Sequence, residues 1–219
     1  MAEFIKLNSK VDDAEFAALH AQPKGRRRGG VIVLQEIFGI DQYVKKDVER
    51  WGEAGYEVLA PSLFDRQEPG FVAEHDPEGI AVGRKYLQAN GFDNPINDIA
   101  TCLDYLKPRG PVFVVGYCYG GSLAWMAACR LGDLAAASSY YGSQVHLHAH
   151  DTARCPVIFH FGKEDHAIPL AQVEGIMAAR PDLPIYLYDA GHGFNNPDGA
   201  AAHLARKRTV ELFEQNGAA

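Results

Sequence analysis

The sequence predicts an α/β fold in which helices cover both faces of a mainly parallel central sheet. Apolar runs of strand length alternate with stretches of helix length along most of the chain. Several of these runs are apolar throughout, as strands buried on both faces are. The chain has 219 residues, 47% hydrophobic and 22% charged, which suits a globular domain with a sizeable core. We therefore expect a single α/β domain over residues 1–219.

The predicted elements follow in order. An antiparallel pair of strands is expected at 3–8 and 14–21, with the turn between them at 11–13. Further strands are expected near 31–35, 56–60, 111–116, 135–140, 156–161 and 184–189, and helices near 42–54, 94–107, 119–131, 169–180 and 199–215. Residues 65–92, rich in glycine, proline and charge, interrupt the alternation, and we expect this connecting segment to form a wall of a substrate site.

One segment carries a chemical signature. Between the strand near 111–116 and the helix near 119–131 the chain reads GYCYGG. A nucleophile between small residues at a strand-to-helix turn is held up at the edge of the sheet. The positive end of the helix that begins there favours a thiolate. The pattern therefore predicts Cys118 as a nucleophile.

Two further side chains follow strands that come later in the sequence. Asp165 comes after the strand near 156–161, and His192 comes after the strand near 184–189. The order nucleophile, acid, histidine is that of the α/β-hydrolase fold. The carboxyl ends of parallel strands meet at one edge of a sheet, where ligands bind. We therefore expect an α/β-hydrolase fold with Cys118, His192 and Asp165 together at that edge.

The strand near 31–35 should bring a fourth group to the same edge. Glu36 follows this strand, and a carboxylate beside a thiol can accept its proton, although like charge would also raise the pKa of the thiol. The same loop conventionally supplies half of an oxyanion hole. We expect the backbone N–H groups of Ile37 and Tyr119 to form that hole.

Six segments form a recognisable set: QEIFG at 35–39, PSLFDRQEPG at 61–70, GYCYGG at 116–121, YYG at 140–142, GKEDH at 162–166 and AGHGF at 190–194. Together they resemble the dienelactone hydrolase (carboxymethylenebutenolidase) family of α/β-hydrolases. The resemblance extends over roughly residues 3–214. It implies hydrolysis of a lactone or ester by a Cys118-His192-Asp165 triad that Glu36 assists. The expected route passes through a thioester acyl-enzyme, which water hydrolyses to release the acid, and it needs no cofactor.

The expected substrate site departs from that family's pattern. Members that act on an anionic dienelactone hold its carboxylate with two arginines, and this chain has Asn196 at one of those places and Ile80 at the other. Arg84, one helical turn further along, is a candidate substitute. Arg84, Asn196 and Phe38 are therefore the expected substrate-binding residues, and neutral esters or lactones should be accepted comparatively well.

Composition excludes several classes of partner. The net charge of −7 and pI near 5.7 argue against binding to nucleic acid, which requires neutralisation of phosphates. No apolar run has the length of a membrane helix. Cys102, Cys129 and Cys155 lie in apolar segments without C-x-x-C spacing, so neither a disulfide framework nor a zinc site is expected. We expect a cytoplasmic monomer or small homo-oligomer that acts on a small molecule.

Two alternatives remain open at this point. Another enzyme on the same scaffold, such as a thioesterase, a general carboxylesterase or a peptidase, would share these motifs, and a non-catalytic binding module could keep the site without turnover. The triplet His146, His148 and His150 would share one face if extended and could then hold zinc. Its loop context favours solvent-exposed histidines, so we expect no metal.

Overall fold

The computed structural model describes residues 2–218. Its strands are β1 Glu3–Asn8, β2 Glu15–Ala21, β3 Gly29–Leu34, β4 Tyr56–Pro61, β5 Val112–Tyr117, β6 Ala136–Tyr140, β7 Val157–Gly162 and β8 Ile185–Tyr188. Its α-helices are α1 Gln42–Glu53, α2 Pro77–Asn90, α3 Asp93–Leu106, α4 Tyr119–Arg130, α5 Leu170–Ala179 and α6 Ala200–Gln215. Short 3-10 turns lie at Lys107–Arg109 and Val145–His148.

The strands form one eight-stranded sheet in the order β1-β2-β4-β3-β5-β6-β7-β8. The first two neighbouring pairs, β1 with β2 and β2 with β4, are antiparallel, and the other five are parallel. Every residue of β3, β4, β5 and β7 is buried, as expected for strands covered on both faces. The predicted mainly parallel α/β fold is confirmed.

Apolar side chains of the helices close the core over this sheet. Trp51 of α1 and Phe213 of α6 pack with ring centroids 5.4 Å apart, and Phe213 stacks at 4.4 Å on Phe113 of β5. Helix α4, buried at almost every residue, packs on β5 and β6, and α3 packs on α4. The start of α4 is therefore anchored directly to the strand that precedes it.

The interrupting segment contains a helix that its composition did not predict. Helix α2 begins after Asp76, whose carboxylate accepts a hydrogen bond from the Gly79 N–H at 2.8 Å, and Pro77 occupies the first helical turn. Both features are typical of a helix start. The glycines and charged residues that follow make the apolar face of the helix hard to recognise in the sequence. The segment with His146 and His148, expected as a loop, forms a short 3-10 turn, so these histidines do not lie in an extended strand.

Candidate active site

The turn between β5 and α4 holds Cys118 in a strained backbone conformation. Its φ is 53° and its ψ is −110°, in a region that non-glycine residues rarely adopt. A Cβ on Gly116 would lie 1.9 Å from the Gly120 carbonyl oxygen, and one on Gly120 would lie 2.3 Å from the Leu34 carbonyl oxygen. These close approaches require glycine, so the turn stays tight and leaves the thiol partly exposed.

His192 lies beside Cys118 and is oriented by Asp165. Its Nδ1 is 2.8 Å from Oδ2 of Asp165, while Oδ1 of the same carboxylate accepts from the amides of Ala167 and Ile168. Burial of the ring acts against its positive charge, but hydrogen bonds to Asp165 and Cys118 outweigh it and raise the pKa of His192 to about 10. The arrangement stabilises the imidazolium that His192 becomes when it takes a proton.

Tyr141, directly after β6, packs against this histidine. Its φ is 37°, another unusual value for a residue with a side chain, and its ring meets the His192 ring edge-on at 4.9 Å. The hydroxyl lies next to the Glu36 carboxyl. Tyr141 therefore contacts both the histidine and the glutamate, although its position in the YYG segment was the only signal for it in the sequence.

Glu36 is buried, with 8% of its surface exposed. Its Oε2 accepts a long hydrogen bond of 3.4 Å from Asn196 Nδ2, and Oε1 has no partner with hydrogen-bond geometry among the described residues. Burial raises the pKa of the carboxyl, while the nearby His192 and Tyr141 act in the opposite direction. Within residues 2–218 its contacts are thus with Asn196 and the histidine side of the site, and the structure shows no hydrogen bond to the thiol.

The two expected oxyanion donors lie on adjoining segments. Tyr119 is the first residue of α4, where backbone N–H groups have no acceptor within the helix. The loop that contains Ile37 is tied to the same turn, because the Gly120 N–H donates to the Gln35 carbonyl at 3.0 Å. Helix α2 packs on this loop through Gly83, where a Cβ would lie 2.2 Å from the Ile37 carbonyl oxygen. Both amides therefore sit on rigid backbone.

The expected substrate-binding residues are in three different environments. Asn196 contacts Glu36, as described. Phe38 is buried and stacks on His75, with ring centroids 3.8 Å apart, and His75 in turn lies 2.6 Å from Asp41. Arg84 is exposed on α2, and Ile80 on the same helix is half-buried against the core. The structure thus brings Asn196 to the site and covers one face of Phe38 with His75.

Two other basic side chains close to these segments already have carboxylate partners. Arg66 binds Asp98 and Asp12, and Lys163 Nζ donates to Asp189 at 2.7 Å. Both cations are therefore paired with carboxylates in this structure. The pairing of Arg66 with a fully buried carboxylate could not be predicted from residues so far apart in the sequence.

The residues that the structure describes form no group of three or more metal-binding side chains with suitable geometry. His146 contacts the Ser143 carbonyl and His148 contacts Asp151, so the histidine triplet is divided among separate local partners. No helix within residues 2–218 is both long and apolar enough to cross a bilayer.

The sheet order and a strained thiol turn beside a histidine and an aspartate define an α/β-hydrolase. Residues 16–217 match the dienelactone hydrolase family, and the chain belongs to that family. It is therefore a hydrolase of the dienelactone hydrolase type.

Individual relatives agree with this assignment. A Synechocystis sp. protein provisionally named a carboxymethylenebutenolidase is 33% identical over 210 residues, covering 84% of this chain and 85% of its own. Carboxymethylenebutenolidase of Pseudomonas putida is 29% identical over 97% of this chain and 96% of its own. A crystal structure from Klebsiella pneumoniae, provisionally named a dienelactone hydrolase, has the same fold: the TM-score is 0.82 at 23% identity, over 98% of this chain and 99% of that one.

Proposed function

We propose that this hydrolase cleaves a lactone or carboxylic ester through a thioester on Cys118. The observation that carries the proposal is the 2.8 Å contact between Asp165 and His192, a histidine whose pKa the neighbouring Cys118 also raises. A nucleophile, a base and a group that orients the base are what covalent acyl transfer requires. The positive φ of Cys118 supports the same role, because strain of this kind is concentrated at active sites.

In the first half-reaction His192 takes the thiol proton, and the thiolate attacks the carbonyl carbon of the substrate. The oxygen of the resulting tetrahedral intermediate accepts hydrogen bonds from the N–H groups of Ile37 and Tyr119, each contributing about 3 kcal/mol when well aimed. The carbon–oxygen bond then breaks, and His192 returns its proton to the leaving alkoxide. The acyl group remains on Cys118 as a thioester.

In the second half-reaction His192 removes a proton from water, and the hydroxide attacks the thioester. The carbon–sulfur bond then breaks, His192 returns its proton to the sulfur, and the acid leaves, so the proposed cycle needs no cofactor. Glu36 assists at the start of this cycle, where its carboxyl can exchange a proton with the thiol or with His192. Its closeness to His192 and its burial support that role.

For the substrate, we propose that an anionic dienelactone is less strongly preferred than in relatives that use two arginines. Asn196 offers a neutral amide near Glu36, and Ile80 is apolar. A guanidinium contact with a carboxylate is worth about 1.5–3 kcal/mol, so the loss of two should lower kcat/KM for the anion roughly a hundredfold or more. We also propose that residues 1–219 act as one domain on a small molecule, in the reducing cytoplasm that suits a free thiol.

The experiment is hydrolysis by wild type and Cys118→Ala of a panel that contains a dienelactone carboxylate, its methyl ester, a simple aryl ester, a thioester and a peptide. Cys118→Ala should abolish turnover, and an acyl adduct on Cys118 should appear in the intact mass during steady state. Cys102→Ala, Cys129→Ala and Cys155→Ala are the matched controls and should retain activity. More than a tenth of the wild-type rate in Cys118→Ala would overturn the mechanism. Activity confined to the thioester or peptide would overturn the substrate class.

Asn196→Arg tests the substrate preference in the same panel. It should raise kcat/KM for the carboxylate relative to its methyl ester, because a guanidinium then faces the bound anion. Arg84→Ala is the comparison variant. A strong preference for the free carboxylate that survives Arg84→Ala would contradict the proposed substrate class.

A further inference from the structure

A small cavity lies against the Glu36 carboxyl. Its lining consists of Glu36, Asp41, Tyr43, Val44, Asp47, Tyr117, Asn195 and Asn196. The space open to the centre of a water-sized sphere is about 10 Å³, which is close to the volume at which a cavity holds one water. Because the lining contains carboxyl, amide and phenol groups, this cavity has the polar partners that a buried water needs.

The three carboxyl groups of the lining differ in how well they are partnered. Asp41 caps α1 with one oxygen and contacts His75 with the other. Asp47 accepts from Arg50 Nη1 at 2.7 Å and also from the Tyr117 hydroxyl. Glu36 is the least well partnered of the three: one oxygen accepts only the long bond from Asn196, and the other has no partner of hydrogen-bond geometry among the described residues, although the Tyr141 hydroxyl lies next to the carboxyl. An under-partnered buried carboxyl is costly, so of the three groups Glu36 gains most from a water in the cavity that it lines.

Tyr117 provides a second hydrogen-bonding group, beside Glu36, for a water in the cavity. Its hydroxyl donates to Asp47, which leaves the phenolic oxygen free to accept a hydrogen bond. We propose that the cavity holds one ordered water that donates to Glu36 and to the Tyr117 oxygen, so that the Asp47–Tyr117 pair positions Glu36 for its work at Cys118. The amides of Asn195 and Asn196 supply donors for the oxygen of this water. Asp47 and Tyr117 are positioning residues here, since neither reaches the reacting atoms.

The inference rests on the proposed role of Glu36, and its consequence concerns the charge of that carboxyl. A hydrogen bond to the ionised form favours ionisation, so the water opposes the effect of burial. The charged and titratable groups around Glu36 and the cavity are His192, Tyr141, His75, Asp41, Tyr43, Asp47 and Tyr117, with Arg50 and Arg206 beyond Asp47. Loss of the Tyr117 hydroxyl releases the water, and Glu36 then holds its proton to higher pH.

The test compares Tyr117→Phe with Tyr140→Phe. The two tyrosines end neighbouring strands with ring centroids 4.9 Å apart, but the Tyr140 hydroxyl contacts Thr209 at 2.7 Å and does not line the cavity. In protein labelled with [13Cδ]glutamate, the Glu36 carboxyl resonance is identified by its absence in Glu36→Gln. We expect its titration midpoint to rise by about half a pH unit or more in Tyr117→Phe and to stay at the wild-type value in Tyr140→Phe. Equal midpoints in wild type and Tyr117→Phe would overturn the link.

Two further measurements separate the water from its role. A high-resolution crystal structure of wild type should show a water in the cavity, hydrogen-bonded to Glu36 and Tyr117. Absence of electron density for a water there would overturn the inference. The pH profile of Cys118 alkylation by iodoacetamide should move upward in Tyr117→Phe, and this shift should vanish in the Glu36→Gln background. A shift that persists without Glu36 would overturn the positioning role. None of these readouts requires lactone turnover. Failure of the proposed function would appear in the substrate panel, whereas failure of this inference would appear in these measurements.

Discussion

Two histidines at one end of the sheet have opposite charge preferences. His160 lies in β7, fully buried, with Nδ1 2.8 Å from the Tyr188 hydroxyl and Nε2 3.3 Å from Thr209. Burial lowers the pKa of His160 to about 3. His192 follows β8, the neighbouring strand, and hydrogen bonds to Asp165 and Cys118 raise its pKa to about 10 against the effect of burial.

The comparison shows that partner chemistry outweighs desolvation at His192. Hydroxyl groups satisfy a neutral imidazole without stabilising its charge, because they can donate to one nitrogen and accept from the other. A carboxylate and a thiolate stabilise the cation. The same side chain is therefore a neutral core residue in β7 and, in the loop after β8, a candidate base whose protonated form is stabilised.

The largest expected effect comes from removal of the charged histidine. His192→Ala should lower kcat/KM by roughly 10⁴-fold or more, because the thiol then lacks its base and the leaving group its acid. The measurement is ester hydrolysis together with the unfolding temperature. His166→Ala, an exposed histidine next to Asp165, is the control and should retain activity. If His192→Ala kept a tenth of the rate, the histidine would not be the base.

The second prediction removes the carboxylate that makes His192 different from His160. Asp165→Asn should lower the rate by about 10²- to 10⁴-fold. It should also change the pH profile. The wild-type activity that needs the imidazolium should fall near pH 10, the pKa of His192. Because Asp165 raises that pKa, the activity of the variant should fall at a lower pH. The control is Glu164→Gln, an exposed neighbour. An unchanged high-pH limb in Asp165→Asn would contradict the role of this carboxylate.

The third prediction concerns stability at His160. Its pKa in the folded state, about 3, lies below the value of about 6.5 in the unfolded chain, so the unfolded state binds the proton first as the pH falls. The free energy of unfolding should therefore drop by about 2 kcal/mol between pH 7 and pH 5 on account of this residue. Urea denaturation at both pH values should show a smaller drop in His160→Gln. The exposed His150→Gln should behave as wild type, and the same drop in both variants would refute the assignment.

The smallest expected effect is at the hydroxyl that bonds His160. Tyr188→Phe should cost about 1–2 kcal/mol in the free energy of unfolding at pH 7, because it leaves Nδ1 of His160 without its partner. Tyr186→Phe removes a hydroxyl from a ring that stacks on His160, and no partner of that hydroxyl is found among the described residues, so its cost should be lower. Equal losses measured by urea denaturation would show that the Tyr188 hydroxyl does not support the neutral histidine.

Much of the fold was predictable because its signals are local. The apolar run that became β7 and the GYCYGG turn before α4 each lie within a few residues of sequence. Helix α2 was not predicted because its Gly79 and Gly83 are more typical of loops than of helices. Their function appears only in three dimensions, where Gly83 allows the helix to approach the Ile37 carbonyl.

The candidate site was predictable to a similar extent. Cys118, Asp165 and His192 follow three strands whose carboxyl ends meet, and the structure brings them together, while their catalytic roles stay a prediction. The setting of Glu36 could not be predicted in the same way. Its partner Asn196 is 160 residues distant, and the sequence offered no means to see the cavity that Asp47 and Tyr117 share with it.

The sequence by itself determined the order of strands and helices, the thiol turn and the loops that carry the acid and the histidine. It did so because strand periodicity, glycine spacing and the rule that parallel strands end at one edge act locally or through topology. Only the tertiary structure decided which histidine is neutral and which is charged, and which carboxyl lacks a partner. Those properties depend on burial and on neighbours from distant parts of the chain. The local sequence around each residue determines neither of these.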